Sequence, residues 1–337
     1  MSDIRRVAAL AGCSIATVSR CFNEPHLVRE KTRERILAIA SQERFRPNLI
    51  GRQLRRKQTG LVGVMLPSLT NPIFADCAAG IEQALETQHK RMLLTTTQYE
   101  VSKESQLIEI LLRQQVDGLL LTVADTAHCD ALDLLARENV PYVLMYNHTE
   151  GFPSVSIDDR VAARDAIEHL LNAGHQHIAM IAGYVAASDR SRLRYQGYED
   201  AMFAAGHKPL PLLEVDFDAR TIETSLQHWL DNMASAPTAV FCSTDLLALE
   251  VIKLLRERGV HIPRDMSIIG FDGLKYGQLI EPTLTTISQP NHEIGRRAAE
   301  RLLARLDGTD IHHDSLFLDH VLLERKTVGA PSLDRRR

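Results

Sequence analysis

The sequence predicts a chain in two parts: an N-terminal all-α helix-turn-helix bundle, then an α/β core of two doubly wound parallel-sheet subdomains. Three observations carry this expectation. Two short helical patterns flank Gly12, apolar strands alternate with amphipathic helices in two successive series after Gly60, and charge is unevenly divided. Residues 1–60 hold 13 Lys/Arg against 5 Asp/Glu, and the remainder holds 26 against 38. A head of +8 therefore sits on a body of −12, within a 337-residue chain of net charge −4. Such a division suits a phosphate-binding module joined to a domain with a different task.

In the head, Ile4, Val7, Ala8 and Ala11 fall at helical spacing, and Gly12 closes that helix. Ser14 is placed to cap a second helix, Ile15–Phe22, with Val18 and Phe22 turned inward. Asn23, Glu24 and Pro25 read as a loop. A third helix, about Glu30–Arg44, is expected to bury Ile36, Leu37 and Ala40 and to expose Arg29, Lys31, Arg33 and Arg35. Arg46–Pro47 stops it, because the residue before proline avoids helical angles. Two helices meeting at a glycine turn are the geometry that sets a helix into a DNA major groove. The basic stretch Asn48–Lys57 is shorter than the roughly 12–15 residues an isolated helix needs in water. Gly51 weakens it by a further ~0.5–1 kcal/mol relative to alanine. The resulting division is 1–46 for the bundle, 47–60 for a hinge helix and linker, and 61–337 for the body.

The body opens on the apolar run Leu61–Pro67, followed by a helix from Pro72 to about Gln88. Met92–Thr95, a helix over Ser102–Gln114, Asp117–Val123, a helix to Glu138 and Pro141–Met145 continue the alternation. A second series starts near Val161 with a helix to Ala173 and a strand over His177–Ala182. A helix over Arg194–Ala205, a strand at Leu213–Val215 and a helix to Met233 follow. The series ends with strand Ala239–Cys242, helix Leu246–Arg258 and strand Ser267–Phe271. Continuous apolar strands between helices indicate parallel sheets covered on both faces. A last helix, Asn291–Leu306, and a strand near Phe317–Glu324 are expected to cross back. The subdomains are then about 61–159 with the 290–320 region, and about 160–289 with the C-terminal strand. Ligands bind beyond the carboxyl ends of the strands in such sheets, so two facing sheets form a natural trap.

Five scattered cysteines without a C-x-x-C pair argue against disulfides and zinc knuckles, and fit a reducing cytoplasm. The charged N-terminus has no signal-peptide core, and no apolar run reaches membrane-spanning length. His175-Gln176-His177 starts a strand and His312-His313 lies in a loop, neither with a convincing acidic or cysteine partner, so no metal is expected. Neither a nucleophile motif nor a phosphate-cradling glycine loop is present, so neither an enzyme nor a cofactor is expected. A secreted solute-binding protein would share the two-sheet body but leaves residues 1–60 without a purpose.

The pattern V-A-x-x-A-G-x-S-x-x-T-V-S-x-x-x-N over Val7–Asn23 resembles the lactose/galactose-repressor family of bacterial transcription regulators. Further marks in the same order are Arg46-Pro47-Asn48 with Arg52 and Leu54, Asn71-Pro72-Ile73-Phe74, Val116-Asp117-Gly118 and Gly197-Tyr198. Ile262-Pro263-Arg264-Asp265, Gly270-Phe271-Asp272 and Leu284-Thr285-Thr286-Ile287 complete them. The resemblance implies a periplasmic-binding-protein-like core and a homodimer on a palindromic double-stranded DNA operator, with a small effector controlling affinity. No membrane partner is expected. The C-terminal Ala330–Arg337 shows no heptad repeat, so a coiled-coil tetramer is not expected.

By this resemblance Ile15, Ala16 and Arg20 read bases, Ser14 opens the reading helix, and Thr17, Ser19, Asn23 and Arg33 position phosphates. Asn48, Arg52, Leu54 and Arg55 would lie in a hinge helix that orders only beside its twin in the minor groove, with Leu54 as an apolar wedge. Arg194 and Asp272, expected to come from opposite subdomains, lead the effector contacts. Phe74, Asn147, Asp158, Arg190, Phe217 and Thr244 follow. The arginine-dense segment Ser188–Arg194, expected to precede a helix, suits a sugar acid of the gluconate or keto-gluconate type. Solvated Arg190 and Arg192 with a neutral sugar, or a purine, are the alternatives.

Overall fold

Asp3 starts the first helix of the computed structural model, which describes residues 3–45, 59–148, 151–216, 222–232, 236–310 and 314–332. These fall into two compact units, Met1–Thr59 and Gly60–Arg337. In the first, the Asp3 side chain accepts from the Arg5 amide and α1 runs Ile4–Leu10. Gly12 takes φ +59°, a turn that a side chain would strain. Ser14 Oγ accepts from the Thr17 amide at 3.1 Å and opens α2, Ile15–Asn23, so Asn23 belongs to the helix rather than to the loop. Pro25–Leu27 forms a 3₁₀ turn, and α3 spans Glu30–Gln42. That helix ends where Arg44 adopts φ +51°, a left-handed closure made before the proline is reached.

Val7, Ala8, Ala11, Val18, Cys21, Ile36 and Ala40 form the head's core, with Phe22 and Ile39 packed against it. Leu37 does not join them. It is 44% exposed, and Ile39 completes the i, i+3, i+4 stripe of α3 in its place.

The second unit holds two six-stranded sheets. The first comprises β1 (Leu61–Leu66), β2 (Arg91–Thr96), β3 (Gly118–Leu121), β4 (Tyr142–Met145), β5 (Ser154–Ser156) and β11 (Ser315–Phe317), in the order β11-β5-β4-β3-β1-β2. The second comprises β6 (Ile178–Gly183), β7 (Leu213–Val215), β8 (Ala239–Cys242), β9 (Ser267–Asp272), β10 (Thr285–Ser288) and β12 (Val321–Leu323), in the order β12-β10-β9-β8-β6-β7. Every pairing is parallel except β10 with β12. β5 and β10 escape an apolar-run reading because they are short and rich in Ser and Thr, although Ser154, Ser156, Thr285 and Thr286 are fully buried. The single strand expected near Phe317–Glu324 is two strands, β11 and β12, one in each sheet. Their connection is therefore a crossing between the halves.

Helices α4 (Pro72–Glu86), α5 (Glu104–Arg113), α6 (Asp130–Arg137) and α11 (Asn291–Leu306) cover the first sheet. The α4 start joins an Asn71 cap to Pro72 at the first helical position, where the missing N–H costs nothing. Helices α7 (Asp159–Asn172), α8 (Asp189–Ala204), α9 (Ile222–Asn232) and α10 (Asp245–Glu257) cover the second. Although α11 follows a strand of the second sheet, its Ile294, Ala298, Ala299, Leu302 and Leu303 pack on the first. Two glycines permit that contact. A Cβ on Gly80 would meet the His292 carbonyl oxygen at 2.0 Å, and one on Gly295 would meet that of Cys77 at 2.0 Å. Helix α8 starts five residues earlier than the apolar pattern suggests, so Arg190, Arg192 and Arg194 lie within it.

Candidate functional site

The head presents the start of α2 to solvent. Ile15 is 46% exposed, and Ser14, Ala16 and Arg20 are exposed beside it, while Val18 and Cys21 turn into the core. An apolar side chain left out at the first position of a capped helix is available for contact; the bundle already has its core. Thr17 and Ser19 are half-buried. Thr17 Oγ1 lies 2.9 Å from Ser14 Oγ, and Asn23 Nδ2 donates to Ser19 Oγ at 3.2 Å. Arg33, expected to be exposed, is half-buried; it pairs with Glu30 at 3.6 Å, and its carbonyl accepts from the Cys21 thiol. Asn48, Gly51, Arg52, Leu54 and Arg55 lie outside the described residues, as does Phe217.

In the body, polar side chains collect at the carboxyl ends of the strands. Arg194 and Asp272 do come together, with Nη1 3.7 Å from Oδ1. They do not reach across from opposite halves, however. Asp272 ends β9 and Arg194 lies in α8, and both belong to the second half. The Arg194 guanidinium stacks 3.6 Å above the Phe271 ring centroid and donates to Asp159 Oδ1 and to the Ser243 carbonyl, each at 2.6 Å. Gln289 Nε2 donates to Asp272 Oδ1 at 2.8 Å. Asp272 itself has φ +119°, an uncommon backbone conformation of the kind that clusters at functional sites. Burial pushes its carboxyl up to about 7, against the lowering effects of Arg194 and of the Gln289 and Asn71 amides.

A recurrent device positions the acids. Asp158 caps α7 through the Arg160 and Val161 amides, Ser188 caps α8, and Thr244 caps α10 through the Leu247 amide at 3.2 Å. In each case the next residue, Asp159, Asp189 or Asp245, sits at the first helical position and is buried. The helix dipole favours the charged form there, while burial opposes it and raises all three carboxyls. Asp158 and Thr244 therefore serve as caps, and it is the residue after each that points inward. Asp245 accepts from the Thr286 hydroxyl at 2.5 Å and from the Leu274 amide at 2.6 Å.

Asn147 is fully buried and holds the loop after β3 through both groups of the Val123 peptide, at 2.9 and 3.0 Å. Its Nδ2 also donates to Asp189 Oδ2 at 2.7 Å. Arg190 is buried rather than solvated; its Nη1 donates to the Val123 carbonyl at 3.0 Å and to Asp189 Oδ1 at 3.1 Å. Arg192 is partly exposed and pairs with Asp125 at 3.3 Å. Phe74 sits in the first core, edge-on to Tyr146 with centroids 5.5 Å apart. Four buried side-chain oxygens have no hydrogen-bond partner among the described residues: Thr122 Oγ1, Ser156 Oγ, Asp272 Oδ2 and Gln289 Oε1. Each belongs to the last residue of a strand or to the residue that follows it.

His175 is taken up by structure, with ring nitrogens against Thr238, Ser267 and the Gly329 carbonyl. Among the described residues, no group of three or more His, Cys, Asp or Glu could hold a metal ion. No described helix is long and apolar enough to cross a membrane.

Comparison with known proteins matches residues 3–48 to bacterial regulatory proteins of the lacI family, and residues 167–328 to a periplasmic binding protein-like domain. The chain is 32% identical over 334 residues to the HTH-type transcriptional repressor CytR of Escherichia coli strain K12, covering 98% of this chain and 97% of that one. It is 30% identical over 332 residues to the ribose operon repressor of Haemophilus influenzae, covering 97% and 99%. Its fold matches the lac repressor dimer bound to operator and the anti-inducer ONPF with a TM-score of 0.87 at 28% identity, over 98% and 99% of the two chains. With the reading head, the two-sheet body and these near full-length likenesses in agreement, the chain belongs to the lacI family of bacterial regulatory proteins.

Proposed function

We propose that this chain is an effector-controlled, DNA-binding transcription repressor of the cytoplasm. It grips an inverted-repeat operator as a two-fold homodimer, and a small molecule held at the carboxyl ends of the strands sets its affinity. One observation carries the effector reading: all four orphaned buried oxygens of the described residues lie at those strand ends, where open α/β sheets take ligands. On DNA, Ile15 and Ala16 contact thymine methyl groups and Arg20 pairs with a guanine edge. Ser14, Thr17, Ser19, Asn23 and Arg33 set register on phosphates. Asn48, Arg52, Leu54 and Arg55 form a hinge that folds only with its twin, with Leu54 prying a base step open. Arg194 and Asp272, with Asp159 and Gln289, grip the effector, and its binding shifts the balance between ordered and disordered hinges.

The effector this site supports best is a neutral polyhydroxylated molecule. A gluconate-type acid would need unpaired cations, whereas Arg190, Arg192 and Arg194 are each already matched with an aspartate. The orphaned oxygen of Gln289 is an acceptor, and that of Asp272, whose carboxyl is pushed up to about 7, can accept or donate; hydroxyl groups match both. The likeness to a ribose operon repressor agrees with a neutral sugar. Calorimetry on the full chain with paired aldoses and aldonates tests this. Tighter binding of the aldoses is expected, and tighter binding of the aldonates would overturn it.

A further inference from the structure

Asp245 differs from the other two buried acids that open helices. Asp159 and Asp189 hold arginines, at 2.6 and 3.1 Å. Asp245 instead holds the turn after β9: its Oδ2 accepts from the Leu274 amide at 2.6 Å, and its Oδ1 accepts from the Thr286 hydroxyl at 2.5 Å. The side chain is fully buried, and α10 is already capped by Thr244, so these bonds serve something other than the helix start. A Cβ on Gly270 would collide with Asp245 Oδ1, so β9 carries no side chain where the acid crosses it. The turn itself is unusual. Asp272 has φ +119° and Gly273 φ +74°, two successive residues on the left-handed side of the backbone map. Such a conformation at a non-glycine residue persists only where its surroundings over-determine it. Here the Gly273 amide donates to Thr286 Oγ1 at 3.4 Å, and the Leu274 side chain packs into the first core. Strand pairing fixes the backbone up to Asp272, opposite Ser288, and the Asp245–Thr286 pair fixes it from Gly273 onward. The strained φ of Asp272 is set between these two anchors.

We propose that Asp245 is a positioning residue for the effector: with Thr286 it clamps the Asp272–Leu274 turn and so aims the Asp272 carboxyl. This rests on the effector reading of Asp272 given above. Asp245 acts through Asp272, as the supporting contacts of a binding group must hold it close to its productive geometry. Without the clamp, the Asp272 backbone relaxes and its carboxyl leaves Arg194 and Gln289. The chemistry of the pair separates the clamp from its charge. Asparagine at 245 keeps an oxygen for the Leu274 amide and offers an N–H to the Thr286 hydroxyl, whereas alanine keeps neither.

Hydrogen exchange on the ligand-free full chain tests the clamp, comparing the parent with Asp245→Ala, Asp245→Asn and Thr286→Val. The Leu274 amide is the reporter, and the Tyr198 amide in the middle of α8 is the control for intact folding. Asp245→Ala is expected to speed exchange at Leu274 at least tenfold with Tyr198 unchanged, and Asp245→Asn to stay within threefold of the parent. Equal exchange at Leu274 in the parent and Asp245→Ala overturns the clamp. Should Asp245→Ala fail to fold, with Tyr198 exchanging freely, Thr286→Val decides: at least threefold faster exchange at Leu274 is expected, and none overturns the clamp. Calorimetry with D-ribose at pH 7 then tests positioning, a readout that a purely structural role leaves unmoved. Parent and Asp245→Asn are expected to bind ribose within threefold of each other, and Asp245→Ala and Thr286→Val more weakly, the first by at least tenfold. Parent-like ribose affinity in a folded variant whose Leu274 amide has been freed overturns the positioning role. Absence of ribose binding by the parent contradicts the neutral-sugar reading of the site instead, and the exchange arm still decides the clamp.

Discussion

On the proposed function, Arg20 is the side chain that carries sequence information. An exposed guanidinium on a reading helix can give two parallel hydrogen bonds to a guanine, worth about 1–3 kcal/mol of discrimination. Arg20→Ala is therefore expected to lose that preference at one base pair of each half-site, in anisotropy measurements over operators varied at single positions. Arg33→Ala should instead weaken all operators alike, because phosphate contacts carry no base identity. In the body, single residues mislead more easily. Asp158 and Thr244 have the right chemistry for ligand contacts, but their oxygens are used as caps. Asp159 and Asp245, one step along, are the buried acids. The legible signal is the cap itself: the residue after a Ser, Thr or Asp N-cap starts the helix, and in α7, α8 and α10 that residue is the buried acid. Arg194 and Asp272 stand out by residue type and by resemblance, but both lie within the 160–289 series, so they meet inside one half and do not face each other from opposite halves.

At the scale of elements, most boundaries follow from apolar period and capping chemistry, as in α1, α2, β1 and α11. Where composition departs from that rule, the reading fails for a physical reason. β5 and β10 are strands made of Ser and Thr that bury without an apolar run. α8 begins with Ser188-Asp189-Arg190-Ser191, a polar turn whose helical state is fixed by a cap and by bonds to the other half. The expected strand at Phe317–Glu324 divides because the chain changes sheets within it. Close helix packing makes a sharper prediction. Gly295→Ala places a methyl group where the Cys77 carbonyl oxygen stands, at 2.0 Å, and neither backbone can yield without moving α4 from α11. Overpacking of this kind typically costs about 1–3 kcal/mol, so the urea midpoint is expected to fall by a corresponding amount. Gly308→Ala, with no atom within 4 Å of the added carbon but φ +72°, should cost only backbone strain. Equal effects at the two sites would contradict the packing argument.

For the whole molecule, the buried acids tie stability to pH in an unusual direction. Burial and the neighbouring Asp272 push the Asp245 carboxyl up to about 8, and Asp272 itself stands at about 7. Both folded values are raised, so their contribution to stability is complete below the ordinary aspartate value of about 3.9 and is lost as pH rises through the folded values. Asp245→Asn keeps a neutral group able to accept from Leu274 and to donate to Thr286. Its stability relative to the parent should therefore improve between pH 5 and pH 9, by more than about 1 kcal/mol in urea unfolding. A mutational effect identical at both values would contradict the assignment. Under the proposed function, a ligand at the strand ends can alter DNA affinity only through its differential binding to two arrangements of the chain.

The most direct test is fluorescence anisotropy of the full chain on an inverted-repeat duplex selected from random sequence, with and without saturating neutral sugar, for the parent and Asp272→Ala. The account predicts a preference of about 1,000-fold or more over random duplex. It also predicts a sugar-dependent change of at least fivefold in the parent, and its loss in Asp272→Ala with operator affinity retained. Binding that ignores sequence, or a sugar response that survives Asp272→Ala, would contradict it.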